Sequence, residues 1–228
     1  MGGPSAIPTD PPAWPGGADA ARLLALQLLS PAFPTGAFAH AQGLEWAMDS
    51  RAVADAASLA RWLADVLDHG SGWSDAVLLS LSLRPGADHA ALDELARALC
   101  LTAERLTETL EQGAAFARTA APLTGTDAAP AALPVAVGRA CAPLGRPAAE
   151  IIALYLHGQA LNLIQAAVRF LPLGQTEGQR VLAGLAPAIL RLAACAADAD
   201  RDDLGGCAIG AEIAQARHET MQTRIFRT

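Results

Sequence analysis

Five histidines are the first residues here that could do chemistry. His40, His69, His89, His157 and His218 are scattered along 228 residues and never form HxH or HxxxH. Those spacings would place two imidazoles on one helix face as metal ligands or as an acid/base pair. His40 and Glu45 stand five apart, which is poor same-face spacing, and His69 with Asp65 makes an ordinary i, i+4 surface pair. No GxSxG holds a nucleophilic serine, and Ser71, Gly72 and Ser74 read as loop and helix cap. The acidic pair Asp202-Asp203 falls in a charged loop and reads as solvated. Cys100, Cys141, Cys195 and Cys207 form no CxxC. All 16 basic residues are arginine, so neither a P-loop nor a lysine Schiff base can be written into this chain. The residues imply no catalytic, cofactor-binding or metal site.

The elements that would position any site are helical. Composition is 52% hydrophobic and 17% charged, which excludes a disordered chain. A formal net charge of −7 argues against nucleic acid as a partner. The spacing predicts an all-α domain of eight to ten helices, without strands or repeats. Asp19 is expected to cap the first helix, ending at Ser30-Pro31 and Phe33-Pro34. A second helix is expected from Ala37, with Ala37, Ala41, Leu44 and Met48 on one face. Ser58 and Ser74 are expected caps, Pro122 to Pro134 a loop, and Thr176 with Gln179 a capping box. Ile151 to Val168 carries no formal charge, yet His157, Gln159, Asn162 and Gln165 suit a buried central helix better than a membrane span. The first residues lack a secretion signal, and Ala6 stands where myristoylation requires Ser or Thr. Residues 1–18 are expected to form a flexible Pro/Gly arm, 19–221 the domain and 222–228 a tail. The cysteines are expected to be reduced, cytoplasmic and mostly buried.

Three stretches stay unusual. SPAFPTGAFAHAQGLEWAM, from Ser30 to Met48, holds two phenylalanines, two prolines and Glu45 as its single charge. AAVRFLPLGQTEGQR, Ala166 to Arg180, passes through a Pro-Leu-Gly break. The end, ARHETMQTRIFRT, carries Arg217, Arg224 and Arg227 against Glu219 and sets Ile225 beside Phe226. Arginine with an aromatic is hot-spot composition for a protein interface, and a tail folded back on its own core is the alternative.

These three stretches together resemble the urease accessory protein UreF family, whose forms are close to SPxxPxGxFxxxxGLE, AAVRLxPLGQTDGQ and HETQYxRLFRS. The match runs from residue 30 to residue 228 in the family's order. Met221-Gln222 departs from the usual Gln-Tyr, and Ala41 replaces a common Ser. The resemblance implies an all-α, homodimeric, cytoplasmic protein without catalytic activity. It would join a UreD-type protein (UreH in some systems) to the GTPase UreG, for nickel insertion into apo-urease. It also implies partner-binding roles for Phe33, Pro34, Gly36, Phe38, Glu45, Arg217, His218, Glu219, Arg224, Phe226 and Arg227. The alternatives are a strict GTPase activator that supplies a tail arginine, or an unrelated helical metal-binding protein.

Overall fold

A computed structural model describes residues 17–228. They form ten α-helices and no strand: α1 Ala18–Leu28, α2 Leu44–Asp49, α3 Ala56–His69, α4 Ser71–Leu83, α5 His89–Ala98, α6 Ala103–Thr124, α7 Leu133–Cys141, α8 Ala148–Phe170, α9 Gln175–Asp198 and α10 Ile209–His218. The expected all-α class is borne out. The expected arm falls outside the described residues except for its last two, and Ala18 already opens α1.

α8 lies at the centre. It forms a hairpin with α9 across Leu171–Gly174 and also packs on α2, α3 and α4. α6, α7 and α4 build one flank, and α3 with α9 the other. Ile151, Ile152, Leu156 and Ile164 of α8 are fully buried. The Asn162 Nδ2 donates to Ala37 O at 2.9 Å, and Gln159 Nε2 approaches Asp75, while Gln159 Oε1 is buried without a partner. α8 and α9 are long and apolar enough to cross a membrane, by length and composition only.

A buried ion pair ties the layers. Arg105 of α6 donates to Asp75 of α4 at 2.7 Å, and the Tyr155 hydroxyl of α8 donates to the same carboxylate oxygen at 2.7 Å. Burial pushes the Asp75 carboxyl up, while Arg105 and the Tyr155 hydroxyl pull it down. Removing Arg105 would leave an uncompensated buried charge, a costly state.

Several caps differ from expectation. Asp55 caps α3 and Ser58, the third residue of the helix, closes a capping box with it, Ser58 N donating to Asp55 Oδ1 at 2.7 Å. Ser74 lies inside α4, Gly174 rather than Thr176 precedes α9, and α6 runs on through Pro122. Only Cys141 of the four cysteines is buried; Cys195 and Cys207 are exposed.

The main correction concerns the second helix. Ala37–Ala39 is a single 3-10 turn, and Gln42 and Gly43 both adopt left-handed backbone, with φ 51° and 74°. That break turns α2 onto α10. A Cβ on Gly43 would stand 2.5 Å from Gln215 N, whereas Gly36, with φ 79°, faces open space. Both alanine substitutions carry left-handed strain of roughly 1 kcal/mol. Only Gly43→Ala adds a backbone clash, so thermal melting should place it at least about 2 kcal/mol below Gly36→Ala.

Candidate functional site

The break at Gln42-Gly43 delivers Glu45 to the interior. Its side chain is almost fully buried, and α2 offers it to a segment far away in sequence. Ile225 N donates to Glu45 Oε1 at 2.6 Å, and Phe226 N donates to Oε2 at 2.8 Å. One carboxylate thus takes two successive backbone amides, which are charge-assisted bonds and among the stronger kind. His218, wholly buried, sets Nε2 3.2 Å from Glu45 Oε2 and Nδ1 2.6 Å from Glu104 Oε2. Glu104 also receives Arg224 Nη1 at 2.6 Å.

The tail is therefore seated along its length. Arg227 N donates to Ala39 O at 2.8 Å, and Ala41 N donates to Thr228 O at 3.0 Å. The Thr228 hydroxyl donates to Glu108 Oε2 at 3.1 Å and lies 3.3 Å from His40 Nδ1. Glu108 is itself held by Gln42 and Gln112, each at 3.0 Å. Phe226 is buried in the main core, with the Arg169 guanidinium 4.7 Å above its ring. Arg169 also donates to Phe38 O at 2.8 Å. Arg227 makes a two-pronged contact with Glu111 at 2.6 and 2.9 Å.

The sequence-expected residues divide accordingly. Phe33 is core: it is buried against Phe116 with ring centroids 5.2 Å apart, so it is not free to meet a partner. Phe226, which has nothing local in sequence to pack on, is core as well. Glu45 and His218 are internal fasteners, and Glu219 Oε1 accepts Ala103 N and Glu104 N at the start of α6. Pro34, Gly36 and Arg217 are exposed, and Arg224 and Arg227 point outward while paired to carboxylates. Phe38 is 70% exposed and Ile225 68%. The structure thus brings the Ser30–Met48 stretch, the Arg169 segment and the tail into one surface, with Phe38 and Ile225 as its apolar points. Glu104, Glu108, Arg169 and Thr228 were missed; Arg169 and Thr228 lay in stretches the sequence had marked, whereas Glu104 and Glu108 did not. Among the described residues, no group of three or more His, Cys, Asp or Glu side chains is placed to hold a metal ion.

His40 gives the tail's end a sign with pH. Burial lowers its pKa, so the folded state holds the neutral ring. A histidine depressed on folding contributes stability above its free value of about 6.5 and loses it as pH falls through the folded value. Between about pH 7 and pH 5, the wild-type protein should lose more stability than His40→Gln. Phe226→Ala should cost about 3 kcal/mol, as large-to-small core changes do, and the melting temperature should fall by about 6–12 °C. Deleting residues 222–228 should do no less, in place of the untouched fold that a free tail implies.

A family model described as UreF matches residues 53–186. The chain is 64% identical to a urease accessory protein UreF of Paracoccus denitrificans over 92% of this chain and 97% of that protein. It is 59% identical to one of Cereibacter sphaeroides over 92% and 99%. It is 46% identical to one of Roseobacter denitrificans over 89% and 91%.

Proposed function

The chain belongs to the UreF family of urease accessory proteins, and on that premise we propose that it is a non-catalytic scaffold for GTP-dependent nickel insertion into apo-urease. It would join a UreD/UreH-type protein to a UreG-type GTPase in the cytoplasm and regulate the GTPase step. The observation that carries this reading is the surface at the seated tail. Phe38 and Ile225 stand exposed there, on backbone held by Arg169, by Glu45 and by the Arg227–Ala39 and Ala41–Thr228 backbone bonds. An aromatic anchor on a support already ordered loses little entropy on binding, the condition that favours a hot spot.

The absence of lysine leaves GTP binding by a P-loop to the partner. Arg224 and Arg227 are each engaged by a glutamate, which supports scaffolding over an arginine finger taken from the tail. A homodimer accounts for the apolar face of α1 and α9, where Leu23, Leu26 and Leu190 are 62%, 44% and 64% exposed. Light scattering that returned a strict monomer at micromolar concentration would remove that part of the reading.

Phe38→Asp tests the scaffold directly. Its side chain is exposed, so melting should move by no more than about 0.5 kcal/mol. Capture of the UreD-type partner should weaken by about 30-fold, the equivalent of a hot-spot loss of about 2 kcal/mol. Urease activity, measured after nickel and GTP are added to the reconstituted proteins, should fall in step with capture. Undiminished capture by this variant contradicts the proposed surface.

A further inference from the structure

Arg169 stands in the last turn of α8 and is held from three sides. Its Nη2 donates to Phe38 O at 2.8 Å, and its Nε donates to Gln165 O at 3.2 Å on its own helix. Its guanidinium carbon lies 4.7 Å from the centre of the Phe226 ring. Asn162, about two turns earlier on the same side of α8, donates to Ala37 O at 2.9 Å and to His40 O at 3.4 Å. Arg227 N donates to Ala39 O. Every carbonyl from Ala37 to His40 thus has a donor, and the turn that presents Phe38 is clamped between α8 and the tail. The charge of Arg169 is not neutralised by these contacts, because both hydrogen bonds go to neutral carbonyls. Arg224 meets Glu104 and Arg227 meets Glu111, whereas Arg169 forms no ion pair among the described residues. A guanidinium has five N–H donors; the two bonds leave three, on a side chain that is exposed.

We infer that Arg169 is the charged recognition element of this surface and receives an aspartate or glutamate of the UreD-type partner, with apolar side chains of that partner on Phe38 and Ile225. The inference rests on the scaffold reading above and adds the chemistry that the partner presents. A contact that buries Phe38 and Ile225 also takes the neighbouring guanidinium out of water. A partner carbonyl would satisfy its N–H groups and leave the charge uncompensated, which is costly away from solvent. A carboxylate satisfies both, and its two oxygens match the guanidinium fork. The fork is already fixed by Phe38, Gln165 and Phe226, so meeting it requires little further ordering. The setting sharpens the choice. The chain carries a formal net charge of −7, and Glu104 and Glu111 already occupy the tail's two outward arginines. A broadly acidic partner surface is therefore repelled, while one carboxylate placed over Arg169 is accepted, and that fixes register. Because the Phe226 ring is one of its three supports, the fork keeps this geometry only while the tail is seated.

The test measures capture of the UreD-type partner by the full chain at about 0.05 M and about 0.5 M salt, a range over which exposed charges become strongly screened. Arg169→Gln should weaken capture about tenfold at the lower salt, chiefly through slower association, and by no more than about threefold at the higher. Arg169→Glu should weaken it further at the lower salt. Arg169→Lys keeps the charge without the fork, so it should fall between wild type and Arg169→Gln and retain the salt dependence. Melting and hydrogen exchange at the Arg227 amide report whether each variant still seats its tail. The comparison of two salt concentrations within one variant stands even where the seat is weakened. A residue that only held Phe38 in place would, when replaced, weaken capture by the same factor at both salt concentrations, and that result overturns the inference. Undiminished capture by Arg169→Gln overturns it too, even where capture of the UreG-type GTPase or of a second copy is lost. Phe38→Asp separates this inference from the reading beneath it. Weak capture by Phe38→Asp with undiminished capture by Arg169→Gln removes the charged contact and leaves the surface. Undiminished capture by Phe38→Asp removes the surface itself.

Discussion

One carboxylate organises the functional end of this molecule. Glu45 is buried at the start of a six-residue helix, and a buried carboxylate without donors would be far too costly to keep. Its donors come from two backbone amides of the tail and from His218. The requirement works in both directions: the tail has a place because the charge needs it, and the charge can be buried because the tail arrives. Around that exchange the protein arranges its second layer of carboxylates. Glu104 steadies His218 and Arg224, Glu108 steadies Thr228, and Glu111 meets Arg227.

The rest of the fold keeps those acids in register. Glu104, Glu108 and Glu111 all stand on α6, which is fastened to α4 and α8 by the Arg105–Asp75–Tyr155 contact. α2 reaches the same place only because Gln42 and Gly43 turn the chain sharply and let it touch the backbone of α10. The arrangement is non-local throughout. Apolar burial in α8 and α9 provides the platform, and a few polar contacts across long sequence separations decide the shape of one face.

The helices were largely legible because their periodicity is local. The stripe Leu59, Trp62, Leu63, Val66 and Leu67 gives the packed face of α3 without any tertiary knowledge, four of its members buried and Trp62 partly so. The failures were equally local. The i, i+4, i+7 pattern through Ala37, Ala41 and Leu44 imitates a helix, but Ala39–Ala41 spends its backbone on the tail, and left-handed Gln42 and Gly43 stop the run. The three unusual stretches of sequence do meet in space. Their division into buried and exposed members was not legible. Phe33 and Phe38 look alike in sequence, yet one packs on Phe116 and the other faces solvent. Nothing near Phe226 in sequence foretells Arg169 above its ring, because that contact closes only in three dimensions.

The sequence separation at Glu45 also has a meaning in time. Its amide partners lie 180 and 181 residues downstream. At about 5–20 residues per second of synthesis, roughly 9–36 s pass between the appearance of the acid and the appearance of its donors. Throughout that interval α2 cannot settle in its final place without stranding a charge. The face that carries Phe38 thus becomes whole only after Ile225 and Phe226 have been made. A chain terminated before Ile225 would build most of the helical body and still lack that face.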